Sequence, residues 1–209
     1  MFDSTLPNAL PTRDRLVQAA ADLMMRHSYA TISVDGICAA AEVKKGTFYH
    51  HFASKVDLAL AVFDHVWKEG EAVFGPCFDP ALPPLERLKK FAEASVGHHR
   101  ETFKAEGKVY GCPLANAGYE MGAQDERIRQ KVQSLFNEAV AMLGTIVADL
   151  PHYKNASPEK IDRIARELMS YSMGVEYQAK LANDPEVIAR DLYPGFLRLV
   201  GMPDAETKD

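Results

Sequence analysis

Apolar residues in this chain recur at three- and four-residue intervals almost throughout, and that spacing belongs to one kind of secondary structure. Leu16, Ala20, Leu23 and His27 share one such stripe, as do Leu58, Val62 and Val66. Others run through Leu85, Leu88, Ala92, Val96 and His99, and through Ile128, Val132, Leu135, Ala139, Met142, Ile146 and Leu150. Two more join Ile161, Ile164, Leu168, Ser172 and Val175, then Ile188, Leu192, Phe196 and Leu199. At 3.6 residues per turn these positions return to one helix face, whereas a half-buried strand alternates every second residue. No segment alternates that way over strand length. The spacing predicts an all-α fold.

Helix punctuation agrees. Thr12, Ser33 and Ser157 each stand where a side chain can cap a helix start, and Ser54 with Asp57 has capping-box spacing. Asp184 precedes a proline at a helix start, and Gly201 followed by Pro203 marks the end of the last helix. The segment Gly75 to Pro84 holds four prolines and is the clearest break. A hinge is expected around Gly70 to Gly75. Residues 1–70 would then form a small helical unit with a connecting helix over 54–70, and residues 71–209 a larger bundle. In the seventh helix, Val132, Phe136, Val140, Leu143 and Val147 make a second apolar stripe. A helix apolar on two faces needs two partners, and a second subunit is the natural candidate.

Composition narrows the function classes. The 209-residue chain carries 24 Lys and Arg against 29 Asp and Glu, a net charge of -5. Its three cysteines, Cys38, Cys77 and Cys112, form neither a disulfide framework nor a zinc-type pair. The first residues show no basic segment followed by an apolar run, and no apolar stretch approaches the ~18 residues of a membrane span. A reduced, cytoplasmic protein without a membrane partner is expected. Dinucleotide and phosphate-loop motifs are absent, as are metal-spaced His/Cys clusters, so no cofactor and no metal is expected. No nucleophile–base–acid arrangement can be picked out either, which leaves no positive case for an enzyme.

One stretch stands apart from the acidic average. Between Val43 and Leu60 lie Lys44, Lys45, Lys55, His50 and His51 against a single acid, Asp57. A short helix from Ser33, a tight turn over Glu42 to Lys44 and another short helix from Lys45 to Phe52 have helix-turn-helix lengths. Such a basic run attracts a phosphate backbone. Thr47 and Tyr49 can donate to phosphates, Gly46 allows close backbone approach, and the capped helix start at Ser54-Lys55 offers free N–H groups.

The order Thr31-Ile-Ser33, Gly36 to Val43, Lys45-Gly-Thr-Phe-Tyr-His-His-Phe52 and Ser54-Lys55 resembles the DNA-binding signature of TetR-family regulators. That resemblance implies an N-terminal three-helix unit, a C-terminal bundle and about nine helices in all. It puts Thr47, Tyr49 and His50 on the recognition helix, Lys44 and Lys45 at its start, and Ser33 and Lys55 on phosphates, with Phe48 and Phe52 packed inward. It further implies a homodimer, joined through the last helices, that represses from a palindromic double-stranded operator and is released by a small-molecule effector. Glu42 departs from the pattern. It occupies the turn position usually held by glycine, where a left-handed backbone costs about 1 kcal/mol.

Cys112 lies between Gly111 and Pro113 at the predicted start of a helix, where the dipole and free N–H groups favour a thiolate. A later segment, Gly174 to Lys180, brings a lysine near the end of an apolar stripe. This pair resembles the electrophile- and oxidant-sensing NemR-like branch of the family, in which such a cysteine and lysine form the sensing site. Two readings stay open: a reactive Cys112 beside Lys180, or a small structural cysteine and a reversible apolar or acyl-CoA-type effector. Tyr110, Tyr119, Tyr177, Phe103, Met121 and Met142 are the candidate lining of such a pocket. Cys38 is expected in the core and Cys77 in an exposed linker. His98 and His99 point different ways, one inward and one to water. The rival classes are a helical interaction protein or small enzyme, and a DNA-coating protein without sequence preference.

Overall fold

The computed structural model describes residues 10–202. Among them it contains nine α-helices, two short 3₁₀ turns and no strand. The helices are α1 (Thr12–Arg26), α2 (Val34–Ala40), α3 (Lys45–His51), α4 (Lys55–Phe74), α5 (Pro84–Glu106), α6 (Pro113–Met121), α7 (Glu126–Asp149), α8 (Pro158–Ala182) and α9 (Glu186–Leu199). The all-α expectation holds. The leader and the polar tail beyond Met202 lie outside the described residues.

The chain divides into two compact units. The first comprises the described residues through Glu69 together with Pro113–Val132; the second comprises Gly70–Cys112 and the described residues from Gln133 onward. Helix α4 is unbroken through Phe74 before the 3₁₀ turn Gly75–Phe78 begins. The inclusion of α6 and the start of α7 in the first unit has no counterpart in the sequence reading.

In the first unit Leu16, Val17, Ala20, Ile37, Cys38, Phe48, Phe52, Leu58 and Val62 form one buried cluster. Phe48 has no exposed surface, and burying such a side chain contributes about 1.5–3 kcal/mol. In the second unit Leu88, Val96, Leu143, Ile146, Leu168, Ile188, Leu192 and Phe196 anchor the core. α9 packs on both α5 and α8. Arg87 is buried and pairs with Asp149, so its guanidinium charge enters the core compensated.

The caps follow the sequence with one exception. Ser33 Oγ accepts the Gly36 N–H at 3.0 Å, Ser54 Oγ accepts the Asp57 N–H at 3.1 Å, and Ser157 caps α8 ahead of Pro158. Asp184 Oδ1 accepts the Glu186 N–H. Thr12 is instead the first residue of α1, behind a proline cap that makes no side-chain bond. The second stripe of α7 is also resolved differently: Val132, Val140, Leu143 and Val147 are all buried within the single chain. Phe136, the fifth residue of that stripe, is half-buried.

Candidate DNA-binding interface

The helix-turn-helix is built from α2, the turn Ala41–Lys44 and α3. α2 closes with the Val43 N–H on the Cys38 carbonyl at 2.9 Å and the Glu42 N–H on the Ala39 carbonyl at 3.2 Å. Glu42 itself sits at φ 54°, the left-handed conformation its position in the turn demands. The turn is held from outside by Arg15 on α1. Its Nη2 donates to the Ala41 carbonyl at 2.7 Å and to the Glu42 carbonyl at 2.9 Å. These are carbonyls that the end of α2 leaves without a helical partner. A charged donor on orphan carbonyls is among the stronger hydrogen bonds.

α3 then has two dissimilar sides. Phe48 and, just past the helix, Phe52 are buried, while Lys44, Lys45, Gly46, Tyr49 and His50 are exposed and Thr47 and His51 are half-buried. The Tyr49 ring stands edge-on to Phe48 at 5.2 Å, so the inner ring braces the outer one. His50 and His51 fall in the last turn of α3. A Cβ added at Gly46 would meet nothing within 4 Å. Nothing inside the chain therefore requires glycine there.

The remaining sequence candidates are placed unevenly. Ser33 is exposed, and its hydroxyl caps α2. The Lys45 ammonium lies 2.9 Å from an Asp35 carboxylate oxygen, which raises its pKa by the hydrogen bond and the neighbouring charge. Lys55 is turned inward. Its Nζ donates to the Tyr29 and Ile32 carbonyls, both at 2.8 Å, and lies 4.1 Å from the Tyr29 ring centre. Burial lowers its pKa. Where the resemblance implied a phosphate contact, the structure shows a lysine holding the α1–α2 loop.

The candidates for sensing separate between the units. Tyr119 and Met121 belong to the first unit, and Tyr119 is 67% exposed. Cys112, Lys180, Tyr110, Tyr177, Phe103 and Met142 belong to the second. Tyr177 is 48% exposed on α8, and Tyr110 donates its hydroxyl to Glu106 at 2.9 Å. Phe103 packs against the second core.

Cys112 is half-buried and directly precedes α6. Gly111, at φ 72°, lies against Lys180: a Cβ built there would stand 3.4 Å from Lys180 Cδ. The left-handed backbone favours glycine here, while the added Cβ would meet Lys180 at ordinary contact distance. Cys38 is buried as expected. Cys77 is buried too, correcting the exposed-linker expectation, and burial pushes both thiols up.

A polar group that sequence reasoning missed sits deep in the second unit. Ser95 Oγ donates to Glu176 Oε1 at 3.0 Å, and His99 Nδ1 lies 2.9 Å from the Ser95 carbonyl. A carbonyl only accepts, so Nδ1 carries a hydrogen in that contact. Burial raises the Glu176 pKa, with His99 and Ser95 working against it. The one-in, one-out histidine expectation holds: His99 is buried and His98 exposed. The i, i+4 spacing of Ser95 and His99 was visible in sequence; their partner on a helix 81 residues away from Ser95 was not.

Comparison with known proteins follows these features. Residues 16–62 match the family described as bacterial regulatory proteins, tetR family, and residues 84–192 match the tetracyclin repressor-like C-terminal domain. The transcriptional regulator AcuR of Cereibacter sphaeroides is 32% identical over 156 residues, 68% of this chain and 68% of that protein. The transcriptional repressor DhaR of Mycobacterium sp. strain GP1 is 28% identical over 131 residues, 62% of each chain. The regulatory protein TetR from Rhodobacter sphaeroides superposes with a TM-score of 0.73 at 25% identity, covering 91% of this chain and 97% of that one. NemR of E. coli in its reduced form superposes at 0.68 with 18% identity, covering 92% and 99%, a likeness of fold. With both halves matched and a helix-turn-helix in place, the chain belongs to the TetR family of bacterial transcriptional regulators, DNA-binding proteins rather than enzymes.

Proposed function

We propose that this regulator represses transcription from a palindromic operator as a cytoplasmic homodimer, and that chemistry in its second unit releases it. The observation that carries the DNA reading is the two-sidedness of α3: Phe48 is buried while Lys44, Gly46, Tyr49 and His50 face outward. Two such helices, one per subunit, would enter successive major grooves ~34–36 Å apart. Tyr177 and Leu181, one turn apart on α8 and 48% and 69% exposed, support a subunit contact through the last helices.

For the signal, the reading favoured is a thiol at Cys112. Two features support it: the position directly before α6 and the approach of Gly111 to the Lys180 stem. An ammonium and a helix start both favour thiolate, the form that electrophiles and oxidants attack. α6 begins one residue after Cys112, and α4 and α7 contribute residues to both units. A change at residue 112 thus has a short covalent route into the first unit.

The test is a fluorescence-anisotropy titration on duplex DNA from upstream of the protein's own gene, with and without a quinone. Wild type should release the duplex on treatment and Cys112→Ser should keep it. Release by both proteins, or by neither, overturns the thiol reading and directs the search to a reversible ligand.

A further inference from the structure

The loop between α1 and α2 leads directly into the Ser33 cap, and its backbone groups are gripped by side chains distant in sequence. From α6, Glu120 accepts three hydrogen bonds. Oε1 takes the Ser28 hydroxyl at 2.5 Å and the Ala30 N–H at 2.8 Å, and Oε2 takes the Tyr29 N–H at 3.0 Å. From α4, Lys55 holds the carbonyls of Tyr29 and Ile32. Tyr29 is therefore clamped at both ends of its backbone, its N–H by a carboxylate and its C=O by an ammonium, while its ring is buried under the same lysine. Three residues on, Ile32 enters the core, and Ser33 caps α2.

The carboxylate is adapted to this task. Burial opposes its charge, but the hydrogen bonds from Ser28, Ala30 and Tyr29 and the nearby Lys55 outweigh it and lower the Glu120 pKa. α6 is further tied to the first unit's helices through the residues that follow it: Arg127 pairs with Asp57 at 3.0 Å and Lys131 with Asp64 at 2.5 Å, both partners lying on α4.

We propose that Glu120 is a positioning residue for DNA recognition: reaching from α6, its carboxylate fixes the α1–α2 loop and through it the seat of α2 and α3. α6 is then part of the apparatus that aims the recognition helix, although no residue of it lies in the helix-turn-helix. This rests on the reading that α3 enters the major groove.

Simple electrostatics and positioning predict opposite signs, which makes the inference testable. Removing an acid from a DNA-binding unit raises affinity for any duplex if charge is all that matters. Positioning predicts that Glu120→Gln weakens operator binding by about tenfold, the size of a lost charge-assisted hydrogen bond. Gln keeps one acceptor oxygen and sets an amide N–H₂ against the Tyr29 N–H, so shape is retained and the clamp is lost. Affinity for a scrambled duplex should stay level or rise slightly. Amide hydrogen exchange supplies a second readout: Tyr29 and Ala30 should lose protection in the variant while α5 and α8 keep theirs. Ser28→Ala, which removes one of the three bonds, should give a smaller change in the same direction. Unchanged or tighter operator binding by Glu120→Gln overturns the proposal, as does loss of protection spread evenly over both units. If wild type itself shows no preference for the operator, the groove reading fails first and the exchange result alone judges the clamp.

Discussion

Gly46 and Glu42 are the two residues where fold and function pull apart most visibly. Gly46 occupies the first turn of α3 with open space where a side chain would go, so alanine there should fold at least as well. Helix propensity favours the exchange by up to about 1 kcal/mol. If the bare backbone exists to approach a phosphate, Gly46→Ala should unfold no earlier than wild type in denaturant yet bind the operator several-fold more weakly. Equal or better binding would assign Gly46 no part in the interface. Glu42 presents the reverse case. It holds a left-handed backbone at φ 54°, and Glu42→Gly should relieve roughly 1 kcal/mol of strain, partly offset by the entropy of the freer unfolded chain. The loss of a negative charge beside α3 should also tighten binding to any duplex. Urea denaturation and an anisotropy titration check the two halves separately, and destabilisation would show that Glu42 contributes an unrecognised contact. Features of this local kind were legible in the sequence: the Ser33 cap follows from helix punctuation, and the strained turn position and the inward Phe48 from the family resemblance. The Arg15, Lys55 and Glu120 contacts were not, because they join residues 23 to 92 positions apart and leave no periodic trace.

At the scale of elements, spacing located the helices well because each one buries a single face. It failed where a side chain's environment depends on a second helix. The second stripe of α7 pointed to a partner subunit, yet within the single chain Val132, Val140, Leu143 and Val147 are buried and Phe136 is half-buried. Cys77 sits in a proline-rich segment that looks exposed, and is buried in a 3₁₀ turn. The junction of α8 and α9 gives the element-scale prediction. Pro194 lies inside α9, and beside it Gly195 leaves room for the Tyr171 ring, whose hydroxyl donates to the Asp191 carbonyl at 3.0 Å. A Cβ at Gly195 would fall 2.0 Å from Tyr171 Cε1, so the ring must leave its place. Overpacking of this order costs about 1–3 kcal/mol. Gly195→Ala should lower the melting temperature by several degrees, and Tyr171→Ala in the same chain should recover part of that loss. A melting temperature unchanged by Gly195→Ala would mean that α8 and α9 adjust freely at this point.

At the scale of the whole molecule, the first unit carries the helix-turn-helix and the clamp on its loop, and the second carries Cys112, Lys180 and the Ser95–His99–Glu176 group. Family membership fixes the general activity, and the geometry of α3 makes the claim on which the rest depends, namely that this helix reads a specific duplex. The direct measurement is an anisotropy titration of wild type and Tyr49→Ala on the upstream duplex and on a scrambled duplex of equal length, repeated at two salt concentrations. The account predicts that wild type prefers the upstream duplex by at least about 10³-fold. It also predicts that Tyr49→Ala, whose ring is 53% exposed, loses much of that preference while keeping its salt dependence. Equal affinity for both duplexes, falling steeply with salt in both proteins, would contradict it and leave a DNA-coating protein in its place.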